Sequence, residues 1–232
     1  MTALVVAARY NGPPRSANGG YACGAFAVAT GADVRVRLLA PPPLDLPLEV
    51  RTLDDGSWEL RRDEAVVATA QHARLELEAP APPAWTGAVW ASQHYPGFGR
   101  HAFPDCFVCG PHRRRGDGLR IFPGALESGL WAAPWLPSDD LDAGDGKVAA
   151  VFHWAALDCP GYFAVSAGRR PMLLGEMHAH IDRRVHTGEP CTVVAWKLGA
   201  EGRRHHAGTA LYDEDGELCA RARATWIELK DG

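Results

Sequence analysis

The chain states one pattern twice. Cys23-Gly-Ala-Phe-Ala-Val28 returns as Pro160-Gly-Tyr-Phe-Ala-Val165, 137 positions on (23 to 160), and each copy opens a stretch that reads as helix. Pro47-Leu-Glu-Val50 returns as Pro190-Cys-Thr-Val193 at a shift of 143. Val67-Ala-Thr-Ala70 with Leu75-Glu-Leu77 returns as Cys219-Ala-Arg-Ala222 with Ile227-Glu-Leu229 at a shift of 152. The order is kept while the shift grows, as expected for two copies of one unit that differ by loop insertions. In this register Asp158 of the second copy stands opposite Tyr21 of the first, so only one helix start carries an acid.

A period near half of 232 residues divides the chain into an N-terminal unit (1–78), a connector (79–118) and a C-terminal unit (119–232). Units this small bury a modest share of their surface, so the two are expected to share a core as a homodimer would. The net charge of −4 carries no electrostatic footprint for nucleic acid. With 22% charged residues the chain is too polar for a membrane protein, and the apolar run Leu4 to Ala8 is too short, and lacks the basic lead-in, for a secretion signal. These features predict a cytoplasmic protein whose six cysteines are reduced thiols.

Ser16 is the expected N-cap of a helix from about Asn18 to Thr30, whose Gly, Ala, Cys and Val residues suit a buried position. Val34, Val36 and Leu38 alternate with Arg35 and Arg37, a half-wet strand. Strands are predicted over 48–53, 58–62 and 66–77. The connector is rich in Pro and aromatics, which suits a packed strap better than a free linker. Beyond it the pattern predicts strands over 119–122 and 147–152, a helix from about Ala155 to Ala167, and strands over 174–181, 192–198, 208–213 and 217–229. A buried helix followed by long antiparallel strands, stated twice, is an α+β plan.

Trp154-Ala-Ala-Leu-Asp158-Cys-Pro-Gly161 at the second helix resembles the hotdog-fold thioesterase-like superfamily. So do Gly202-Arg203 and the ending Ala210-Leu-Tyr-Asp-Glu-Asp-Gly216-Glu-Leu-Cys-Ala-Arg-Ala222. Asn18-Gly19-Gly20 looks like a variant of the His-Gly-Gly that opens the helix in one thioesterase branch. The resemblance implies two tandem hotdog domains, each a long central helix wrapped by a curved antiparallel sheet, packed as an intrachain pseudo-dimer. It further implies an acyl-CoA or related thioester as substrate, a site between the paired units, and further association of pseudo-dimers.

Asp158 is the principal candidate. A carboxylate at a helix start stays charged and can act as base or nucleophile; the competing role is a helix cap. Asn18 and Gly19 could present N–H groups to an oxyanion, or form only a tight turn. His153, if it ends a strand, could orient the acid or a water. Arg203 and Arg204 lie in the hairpin that contacts coenzyme A phosphates in hotdog relatives, and Arg suits that geometry. Glu176, His178 and His180 share a strand face and read as solvent-facing. His101-x4-Cys106-x2-Cys109-x2-His112 has the composition of a zinc site, yet the resembled family carries Cys-Phe-x-Cys-Gly at this point, so packing is the expected role and neither metal nor cofactor is expected. The leading function is thioester hydrolysis. The alternatives are a non-catalytic acyl-CoA or small-ligand binder on the same fold and, more remotely, hydration of enoyl-CoA, whose Asp-x4-His pair occurs here only reversed.

Overall fold

A computed structural model describes residues 3–166 and 171–230. Within them one antiparallel sheet of eleven strands is flanked by helices. Its strands are β1 (Ala3–Val5), β2 (Val34–Leu38), β3 (Pro47–Thr52), β4 (Trp58–Arg62), β5 (Ala65–His72), β6 (Gly124–Ala125), β7 (Trp131–Trp135), β8 (Met172–Ile181), β9 (Cys191–Glu201), β10 (Arg204–Tyr212) and β11 (Leu218–Glu228). They lie in the order β1-β3-β4-β5-β2-β8-β11-β10-β9-β7-β6. Read outward from β2 the sequence is β5, β4, β3, β1; read outward from β8 it is β11, β10, β9, β7, followed by β6, an additional edge strand without a counterpart. The two halves therefore have the same connectivity and meet where β2 pairs with β8, with Val36 opposite Met177.

The described residues also form the α-helices α1 (Gly19–Thr30), α2 (Trp85–Gln93), α3 (Ala150–Ala156) and α4 (Cys159–Ser166). α1 begins at Asn18, not at Ser16, because the Asn18 side chain accepts a hydrogen bond from the Tyr21 N–H. It ends at Gly31, whose φ of 69° only glycine adopts without strain and whose N–H closes on the Val28 carbonyl. α2 lies inside the connector and buries Ala88 and Ala91 against Ala132, Val194 and Ala210 on the second half of the sheet. The strap is thus packed, as its aromatics suggest.

Three expectations are corrected. The apolar run over 147–152 is no strand; its second half begins α3, and the chain breaks at Leu157 and Asp158 before α4. Residues 119–122 form no ladder, since the Leu119 and Ile121 amides bond to the carbonyls of Phe107 and Val108 and Arg120 has a φ of 55°. The third strand stops at His72, short of Leu77. The last residue of the helix expected to run to Ala167 lies outside the described residues.

The close crossing of α1 and α3 positions everything that follows. A Cβ at Gly20 would sit 2.4 Å from Asp158 Cβ and 2.7 Å from the Trp154 carbonyl oxygen; one at Gly24 would sit 2.6 Å from Trp154 Cβ. Glycine one turn apart on the same helix face lets two backbones approach more closely than any other residue pair allows. Gly24→Ala gains up to about 1 kcal/mol of helix propensity, yet the clash with Trp154 should leave the protein less stable by about 1–3 kcal/mol in urea unfolding. Gly87 of α2, where an added Cβ meets only Pro83 Cβ at 3.6 Å, is the control: Gly87→Ala should be stabilising or neutral.

Candidate active site

Asp158 occupies the break between α3 and α4, which is held from the sheet by Thr209, whose hydroxyl donates to the Leu157 carbonyl at 2.8 Å. Its carboxylate does not cap its own helix. Oδ2 instead accepts from Asn18 Nδ2 at 2.7 Å and from the Gly20 N–H at 3.0 Å, so an acid of the second half sits on the N-terminus of the helix of the first. Asn18 can serve both because its Oδ1 is committed to the Tyr21 N–H, which turns Nδ2 toward Asp158. The positive end of α1 supports the anion.

Asp158 is 1% exposed, and its second oxygen, Oδ1, has no hydrogen-bond partner among the described residues. Burial pushes its pKa up to about 7, against the lowering effect of the Gly20 and Asn18 donors. A carboxyl group poised near neutrality with one oxygen uncommitted has the character of a general base.

That carboxyl group borders a cavity of about 1370 Å³ whose walls include Gly19, Trp131, Phe163, Leu174 and Trp226. Both halves contribute, Asn18 and Leu38 from one and Asp158 and Met172 from the other. Arg15 and Arg100, both exposed, stand at its rim. Three buried cysteines, Cys106, Cys109 and Cys159, also belong to its wall.

Of the residues singled out from sequence, Asp158, Asn18 and Gly19 come together here. His153 does not join them. It belongs to α3, where Nδ1 donates to the Ala149 carbonyl (3.3 Å) and Nε2 accepts from the Val185 N–H (3.1 Å), so both nitrogens are spent on the backbone. Arg203 and Arg204 are exposed on the turn into β10, outside the cavity wall, and Arg203 donates to the Glu228 carbonyl. Glu176 and His178 line a separate shallow groove over the β2/β8 seam with Arg35 and Arg223. His112 is exposed beside Asp105 and stands apart from the sulfurs; the third member of the thiol group is Cys159, from α4. Sequence alone names Gly20 and Cys159 only within the helix-start motifs; the Gly20 contact with Asp158, the grouping of Cys159 with Cys106 and Cys109, and the rim arginines have only a spatial signal.

The fold settles one comparison. Over 98% of this chain and 95% of the other, a candidate thioesterase from Novosphingobium aromaticivorans superimposes with a TM-score of 0.61 at 14% identity. A tesB protein from Mycobacterium avium subspecies paratuberculosis does so over 92% and 88% with a TM-score of 0.60, also at 14% identity. The chain shares the hotdog fold of these structures. A third such structure, a thioesterase superfamily protein, covers 66% of the chain and 68% of its own length at a TM-score of 0.50 and 14% identity. No protein-family model and no curated protein matches the sequence. Identities this low carry the hotdog architecture and leave the chemistry to the residues.

The buried His153 predicts a pH dependence. Desolvation lowers its pKa from 6.5 to about 4, with Arg184 and Glu189 as the charged groups that bear on it. Between these values the unfolded chain takes up the proton and the folded one does not. Stability from this group is therefore complete above pH 6.5 and falls as the pH drops toward 4, by about 3 kcal/mol in all. His153→Gln should be less stable at pH 7 and should lose that share of the slope in denaturant titrations run from pH 7 to 4.

Proposed function

We propose that the chain hydrolyses an acyl thioester at a single working site shared by the two halves of a duplicated hotdog unit. Asp158 takes a proton from a water held at Oδ1, and the resulting hydroxide attacks the thioester carbonyl. The developing oxyanion is received by the Gly19 amide, the first of α1 and so outside the intrahelical hydrogen-bond ladder. The C–S bond then breaks, the acid leaves with the water oxygen, and the leaving thiolate takes the proton that Asp158 had accepted. Asn18 is a positioning residue that holds Oδ2 and leaves Oδ1 uncommitted. The acyl group lies among the apolar walls.

The observation that carries this reading is the uncommitted, buried Oδ1 of Asp158 beside a large cavity. The duplicated-unit reading is supported by the matching strand connectivity on either side of β2 and β8 and by the repeated sequence. Asp158→Asn keeps an acceptor for Gly20 and Asn18 while removing the base. Its kcat for thiol release from an acyl-CoA should fall by about 10²–10⁴-fold with an unchanged melting temperature. Unchanged turnover would end this mechanism.

The rim arginines are the phosphate contacts of choice for a coenzyme A ester, in place of Arg203 and Arg204. Arg15→Ala with Arg100→Ala should raise KM for acyl-CoA on the order of tenfold and leave a short N-acetylcysteamine thioester unaffected.

The binding-protein reading retains one specific support: Asp158 already ties α3 to α1 and would be kept for that alone. Tight binding of acyl-CoA with no thiol release over hours would favour it.

A further inference from the structure

Cys106, Cys109 and Cys159 bring their three sulfurs within 4.8 Å of one another. Cys106 and Cys159 are 3.8 Å apart, although 53 residues separate them. A tetrahedral zinc ion with Zn–S bonds of about 2.3 Å sets its sulfurs about 3.8 Å from each other. Packed thiols also touch at this distance, so the convergence of a third sulfur on the same point, with donors around it, carries the argument.

The surroundings supply donors to sulfur. Cys106 and Cys109 are held together by the tight Cys106–Gly110 turn, in which the Gly110 N–H closes on the Cys106 carbonyl at 2.9 Å and an added Cβ would meet that carbonyl oxygen at 2.5 Å. Asn18 Nδ2 points at Cys106 and Cys159 from 3.9 and 3.8 Å. His101 Nδ1 accepts from the Phe103 N–H at 2.9 Å, which leaves the proton on Nε2, 3.3 Å from Cys109 Sγ. A thiol is a weak acceptor and a thiolate a strong one, so donors converging on buried sulfur suit thiolates whose charge a cation compensates.

We propose that Cys106, Cys109 and Cys159 bind one zinc-class divalent cation as three thiolates, clipping the connector to α4 beside the cavity. His101 is an outer donor to Cys109 and not a ligand, because its Nε2 carries the proton. All three cysteines belong to the cavity wall, so the fourth position is reached from there and takes water or another small donor. His112 has no part. This site stands independently of the proposed hydrolysis: metal binding and the effect of Asp158→Asn are read in separate assays.

The test is a cobalt(II) titration of the reduced full-length protein, followed by displacement with zinc. One equivalent should produce a near-ultraviolet thiolate-to-metal charge-transfer band and the intense visible bands of tetrahedral cobalt, both lost on adding zinc. Cys106→Ser and Cys159→Ser should each weaken binding at least about 100-fold, more than loss of an outer partner costs, while His112→Ala binds as the parent does. Should either cysteine variant fail to fold, alkylation of the parent protein decides: zinc should protect three of its six cysteines. No charge-transfer band in the reduced protein, equal alkylation with and without zinc, or loss of binding in His112→Ala would overturn the proposal.

Discussion

The site depends on how closely two helices can approach. Gly20 and Gly24 strip one face of α1 to its backbone, and Trp154 and Asp158 of α3 and the break after it settle into that space. Only at this separation can a carboxylate carried by one half reach the first free amides of the helix in the other. A side chain at Gly20 would hold Asp158 away, the Gly20 N–H and Asn18 would lose their acceptor, and the cavity would lose its acid. Packing and chemistry are here the same contact.

The same contact sets the electrostatics. Removing a carboxylate from water disfavours its charge, while the helix terminus and two N–H donors favour it. With burial the larger effect, the group is held near neutrality, and the donors are all spent on one oxygen. An asymmetrically held carboxyl group is suited to proton transfer at the free oxygen and poorly suited to being a simple cap. His153, five residues earlier, shows the contrasting case: both ring nitrogens are satisfied by backbone groups, and nothing remains with which to act.

Much of this was legible in the chain. The repeat anticipates the mirrored strand order, and the Val-Arg alternation of 34–38 anticipates a strand with one buried face. Asp158, Asn18 and Gly19 stand out in sequence as helix-start residues, with a cap and a tight turn as the competing roles, and the fold brings the three together. Residues 147–152 misled because a short apolar run has no period to separate helix from strand, and His153 was misplaced with it. The thiol group was half visible: Cys106-x2-Cys109 is a local motif, but its partner is Cys159, not His112, and only the fold joins residues that far apart. Arg203 and Arg204 are basic and close in sequence to the expected hairpin, yet neither belongs to the cavity wall, where Arg15 and Arg100 stand.

A crystal structure with a non-hydrolysable acyl-CoA analogue bound tests the central claim most directly. The account predicts the acyl chain in the large cavity, the carbonyl oxygen on the Gly19 amide, and a water bridging Asp158 Oδ1 and the carbonyl carbon. An analogue seated elsewhere, or one whose carbonyl lies out of reach of any water on Asp158, would contradict it.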